Sequence, residues 1–234
     1  AWAIKRLEGR AGLEPCQHRS GHRKLVSLSG RRPKVMQKMQ ELMLTTRARQ
    51  FATLLERCEF TGRNGATFDL EPGVIAAMQL LDRIRRSRGS VYVIGNGGSA
   101  AIASHVVNDL VNVAKVRAAT LHDSSLLTCM ANDYGYENAF SRVLAQMIKP
   151  DDGLIAISSS GRSMNIRNAA AKVIDGGGKV ITLSGFAPDN PLRVMGDINI
   201  WLDSKDYGLV EVGHQFVLHN ISDRFGAGYG SLVE

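Results

Sequence analysis

Cysteine is scarce in this chain, and long apolar runs are missing altogether. Its three cysteines, Cys16, Cys58 and Cys129, are odd in number and far apart. That excludes a disulfide framework or a zinc ribbon and fits a reducing compartment. No apolar stretch approaches the roughly 18 residues a membrane span needs, and the basic start has no apolar signal-peptide core. The expectation is a cytoplasmic protein without membrane partners. No repeat of roughly 20 to 50 residues is visible, which excludes a solenoid or propeller. With 44% hydrophobic residues in 234, the chain is too apolar to be wholly disordered and long enough for one sizeable core.

The charge is unevenly placed. A net charge of +7 suggests a nucleic-acid binder. Residues 1–49, however, hold 12 Lys and Arg against 3 Asp and Glu, whereas residues 50–234 hold 17 against 19. The basic surplus belongs to an N-terminal segment with Gly and Pro breaks, read as a solvated tail over residues 1–34 and not as a nucleic-acid arm. Residues 35–70 carry Met39, Leu42, Met43, Phe51, Leu54 and Leu55 at helical spacing, which predicts an N-terminal helical segment. A C-terminal tail is expected over residues 227–234.

Between residues 71 and 226 the pattern alternates. Val74, Met78, Leu81 and Ile84 recur at spacings of four, three and three, with Pro72 in the first turn, and predict an amphipathic helix ending near Gly89. Val91–Ile94 is a short, continuously apolar run, the form of a strand buried on both faces. Further strands are predicted at Ala118–Leu121, Leu154–Ile157, Val180–Leu183 and Ile198–Leu202. Helices fill the intervals, at about residues 99–113, 124–131, 136–148, 163–175 and 208–224. Five buried strands alternating with helices define an α/β fold, a five-stranded parallel doubly wound sheet flanked by helices.

Such sheets bind ligands beyond the carboxyl ends of their strands. Two strand-to-helix loops have the composition of anion cradles. Gly95-Asn96-Gly97-Gly98-Ser99 lets backbone N–H groups approach an anion, with Ser99 placed to cap the next helix. Ser158-Ser159-Ser160-Gly161-Arg162-Ser163-Met164-Asn165 supplies four hydroxyl donors, with Ser163 as a helix cap. The first loop also satisfies a loose dinucleotide fingerprint through Gly95, Gly97 and Ala100, a weak signal that leaves the second cradle unexplained. A P-loop is excluded because no Gly-Lys-Ser/Thr ends the loop. Two cradles on one sheet favour a phosphate ligand. On the helix after the first loop, His105 and Asp109 share a face. On the last helix Glu211, Gln215 and His219 recur every four residues. Juxtaposing those helices assembles two carboxylates and two imidazoles, suited to proton transfer or to a divalent metal. Cys129, beside Leu126, Leu127 and Met130, reads as a packed thiol, and His122 and His214 as surface or core residues.

The combination of Gly95–Ser99, Asn132-Asp133-Tyr134-Gly135-Tyr136 and Ser158–Ser163 resembles the sugar-isomerase (SIS) domain. It looks most like the phosphoheptose isomerase branch, and the resemblance covers about residues 70–225. That likeness implies a flavodoxin-like fold, conversion of sedoheptulose 7-phosphate to a heptose 7-phosphate, and no nucleotide cofactor. It also implies a homotetramer with active sites at subunit interfaces. By resemblance, Asp109 is the base and His219 the acid. Gly97, Gly98, Ser99, Ser158, Ser159, Ser160 and Ser163 belong to the phosphate site, while Asn96, Asp133 and Glu211 face the substrate. Zinc, where present, falls on His105, Asp109, Glu211 and His219. The chain departs from the branch by carrying Asp109 where Glu is usual and Glu211 where Gln is usual. Those departures leave a second expectation open, a non-catalytic module that binds a sugar phosphate or a protein partner.

Overall fold

The computed structural model describes residues 31–228 and divides the chain into two units between Met43 and Leu44. In the first, α1 (Arg31–Glu41) carries exposed Val35, Met36 and Met39. The second begins with α2 (Leu44–Glu56) and continues through β1 (Glu59–Gly62), β2 (Thr67–Phe68) and α3 (Leu70–Arg86). Then follow β3 (Ser90–Ile94), α4 (Gly98–Asn112), β4 (Arg117–Thr120), α5 (Ser124–Tyr134) and α6 (Ala139–Met147). The chain closes with β5 (Gly153–Ser158), α7 (Met164–Asp175), β6 (Lys179–Gly185), β7 (Ile198–Leu202) and α8 (Tyr207–Gly226).

Among the described residues the strands join one seven-stranded sheet, ordered β2-β1-β7-β6-β5-β3-β4. The five expected strands are mutually parallel, in register from Val91 beside Gly153 through Ile181 beside Ile198. Their apolar runs divide by pleat. Val91, Val93, Ile155, Ile157, Ile181, Leu183, Ile200 and Leu202 face the layer of α3, α4 and α8, with Leu54 of α2 packed in. Tyr92, Ile94, Leu154, Ala156 and Val180 face α6 and α7. Both faces are covered, so the strands read as unbroken hydrophobic runs. Numbered by themselves, the parallel strands run 2-1-3-4-5, and the direction of winding reverses between β3 and β5. The crevice at that reversal is where doubly wound sheets take their ligands.

Two expectations need correction. The segment read as helical to residue 70 instead contains a β-hairpin, with β1 antiparallel to β7 and Phe60 opposite Ile200. Phe60 is buried against Gly73, where a Cβ would fall 2.3 Å from its ring; glycine at this point lets α3 lie on the hairpin. The hairpin covers what would otherwise be an open strand edge. Residues Ala118–Leu121 were expected to form a buried strand. The strand is Arg117–Thr120, at the sheet's edge, and its side chains are only half-buried or exposed.

Candidate active site

The site forms where α4 and α8 pack over the carboxyl end of β3. The spacing of four residues on α4 puts His105 one turn from Asp109, and α8 brings His219 to both. His105 Nε2 lies 2.8 Å from His219 Nε2, so the two imidazoles share one N–H. Asp109 Oδ2 is 3.4 Å from His105 Nε2 and 3.3 Å from His219 Nδ1. That oxygen is buried and accepts no hydrogen bond. Two imidazoles and a carboxylate therefore converge on one point with an unsatisfied oxygen, an N₂O donor set of the kind zinc accepts with a coordination position left open. Glu211, expected among the ligands, is not in that group.

Glu211 reaches the site differently. Its carboxylate lies against the backbone of Gly98, so close that a Cβ there would stand 2.4 Å from Oε2. Gly97, at φ +55°, caps α4 and lets the chain turn into it. Glu211, Gln215, His105, His219, Gly98, Ala101, Ile102 and Val212 line an open cavity of about 510 Å³. Asp109 is not among the lining residues.

The second loop follows β5 directly. Ser158 and Ser159 are buried, and the Ser159 hydroxyl has no partner, leaving a donor available inside the cradle. Ser158 Oγ donates to Ser163 Oγ at 3.2 Å, so Ser163 begins α7 without the side-chain cap its position suggested. Ser160 Oγ accepts from the Arg162 N–H at 3.3 Å. Ser99 is likewise not the cap of α4; it lies buried in the first turn.

A clasp joins the two loops. Asn96 donates to Asn165 Oδ1 at 3.0 Å, Asn165 donates back to Asn96 Oδ1 at 2.8 Å, and the Tyr136 hydroxyl donates to that same oxygen at 2.8 Å. The Asn96 amide is thereby committed to holding the loops together. His122 Nε2 accepts the Gly95 N–H at 3.3 Å, and burial lowers its pKa, favouring the neutral ring that can accept. His122 thus supports the first loop. Asp133 stays apart, exposed on α5 and accepting from Asn132 at 2.9 Å. Cys129, read as packed, is exposed and its thiol points to Asp133 at 3.7 Å; α5 contributes no buried residue.

A doubly wound sheet with a serine-rich cradle and an acid–imidazole cluster at its winding reversal defines a phosphosugar-binding protein class. Residues 68–185 match the SIS domain family. Phosphoheptose isomerase of Geotalea daltonii is 34% identical over 161 residues, covering 66% of this chain and 83% of that one. Phosphoheptose isomerase of Mycobacterium bovis is 36% identical over 157 residues, covering 63% and 80%. Among solved structures, phosphoheptose isomerase from Neisseria gonorrhoeae superposes with a TM-score of 0.62 at 27% identity, over 65% of this chain and 85% of that chain. The chain belongs to the SIS domain family, in its phosphoheptose isomerase branch.

Proposed function

We propose that this protein is a phosphosugar aldose–ketose isomerase that interconverts sedoheptulose 7-phosphate and D-glycero-D-manno-heptose 7-phosphate through an enediol. The observation that carries this reading is that the first loop is tied to the serine cradle by the Asn96–Asn165 clasp and leads into α4, the helix that bears His105 and Asp109 of the acid–imidazole cluster. The phosphate goes to Ser158, Ser159, Ser160 and Ser163, with Ser99 and the N–H groups of the first loop beside it. The free Ser159 hydroxyl supports that placement. Gripping the phosphate at the far end of the sugar orients C1 and C2 at the cluster. Asn96 contributes beside the sugar through the clasp that sets the spacing of the two loops, while Asp133 lies apart on α5.

The chemistry moves one proton between neighbouring carbons while a carbonyl and a hydroxyl exchange roles. A carboxylate, with Asp109 the residue expected in this role, removes the carbon-bound proton. The imidazole pair, with His219 expected as the acid, supplies and removes the oxygen-bound protons. His105, Asp109 and His219 are the residues that would hold a zinc ion, which would polarise the sugar oxygens when bound. The reading extends to a cytoplasmic homotetramer with sites at subunit interfaces. Exposed Val212 in the wall of the open cavity favours a second subunit closing it. Among the described residues no helix is long and apolar enough to cross a membrane. We read the domains as a basic tail over 1–34, an N-terminal segment of helix and hairpin over 35–70, a SIS domain over 71–226 and a short tail over 227–234.

The test is turnover of sedoheptulose 7-phosphate by purified protein, stripped of metal and then supplied with zinc. Formation of the aldose supports the enzyme reading. Binding of the ketose phosphate without turnover under either condition would favour the non-catalytic module.

A further inference from the structure

The site contains two carboxylates for one carbon-bound proton, and they are placed very differently. Asp109 has 16% of its side chain exposed, turns Oδ2 towards both imidazoles and does not line the cavity. Aspartate is one methylene shorter than the glutamate usual in the branch, and from its place on α4 it ends inside the imidazole pair. Glu211 lines the cavity from α8, and its carboxylate rests on the backbone of Gly98 at the mouth of the first loop. The same loop is tied through Asn96 to Asn165 and so to the serine cradle. A substrate whose phosphate sits in that cradle and whose other end enters the cavity meets Glu211 before it meets Asp109.

We infer that Glu211 is the catalytic base, and that Asp109 is a positioning residue that orients His105 and His219. The inference rests on the isomerase reading above. Glu211 takes the proton from C1 of the ketose, and the C–H electron pair becomes the C1=C2 bond of the enediol. The carbonyl π pair moves onto the C2 oxygen, which takes a proton from the imidazole pair. The C1 hydroxyl then returns a proton to that pair as C1=O forms, and the protonated Glu211 delivers its proton to C2. The protons balance within the site and no further reactant is needed. Relative to the branch, the base has moved from one helix to the facing one, which accounts for both departures, Asp109 and Glu211, as one linked exchange.

The experiment compares wild type, Glu211→Gln, Glu211→Asp and Asp109→Asn on sedoheptulose 7-phosphate. Two readouts are followed: turnover, and exchange of the C1 hydrogen with deuterated solvent. Ketose-phosphate affinity is measured by calorimetry. The expected result for Glu211→Gln is a loss of about 10³-fold or more in both kcat and exchange, with Kd within about threefold of wild type. Glu211→Asp, which keeps the charge but retracts it, falls by about 10²-fold. That second variant preserves a readable result should the amide perturb folding. Asp109→Asn loses about tenfold. If Glu211→Gln keeps turnover and exchange within tenfold while Asp109→Asn loses 10³-fold, the base is Asp109; the inference is overturned and the isomerase reading stands. If wild type neither turns over nor exchanges the substrate, the isomerase reading fails and takes this assignment with it.

Discussion

Gly98 offers the sharpest test at the scale of a single residue. Alanine is the better helix former, so Gly98→Ala at the start of α4 would ordinarily stabilise the helix. Here the added methyl meets the Glu211 carboxylate at 2.4 Å and must push it aside. The expected outcome is a fall in kcat of about 10²-fold, from an ångström-scale displacement of a reacting group, with the melting temperature unchanged or raised. Steady-state kinetics beside calorimetric melting checks it. His214 makes a second prediction. Its ring is fully buried, Nε2 donates to the Ser184 carbonyl at 3.0 Å, and burial lowers its pKa from 6.5 to about 4. The folded state therefore holds the neutral ring, and that contribution to stability is complete above pH 6.5. It is lost as pH falls from 6.5 towards 4, by up to roughly 3 kcal/mol. Urea unfolding of wild type and His214→Leu across that range should show a steeper acid loss in wild type. Parallel pH profiles would contradict the prediction.

Legibility at this scale followed spacing. His105 and Asp109 on α4, and Glu211 and His219 on α8, are readable as candidates because helical period puts each pair on one side of its own helix; that α8 brings His219 but not Glu211 to the cluster is set by packing. The Asn96–Asn165 clasp is not, since its halves lie 69 positions apart and neither carries a spacing signal. Cys129 misled because its neighbours are apolar, yet no residue of α5 is fully buried.

The strands of the parallel sheet were readable because burial on both faces demands continuous apolar runs, and their 3.6-period partners intervene at regular intervals. The hairpin was not. β1 is four residues of mixed polarity and β2 only two, so neither has a period; pairing of β1 with β7, and of β2 with β1, makes them strands. The weak edge strand β4 was readable in position but not in burial, because an edge needs fewer apolar neighbours than a centre. Phe60 shows what the hairpin contributes. It is almost wholly buried between β7 and α3, so Phe60→Ala should cost about 3–5 kcal/mol through lost burial and a cavity. Denaturant unfolding checks this, and a change under 1 kcal/mol would mean that the hairpin is a loose appendage.

For the molecule as a whole, the net charge of +7 is carried by residues 1–49. Residues 50–234 carry two more acidic than basic side chains, so the proposed phosphate site would rely on local hydroxyls and backbone N–H groups and not on a basic field. The fold places both loops at the reversal between β3 and β5, and α8 returns across α4 to complete the acid–imidazole cluster. The proposed phosphate grip follows β5 and the proposed proton transfer lies on α4 and α8, the two linked through the first loop. The most direct measurement of that claim is proton NMR of sedoheptulose 7-phosphate incubated with the protein in deuterated water, with zinc present. The account predicts growth of an aldose anomeric signal with deuterium incorporated at C2 of the product. A ketose spectrum that stays unchanged while the protein demonstrably binds it would contradict the account.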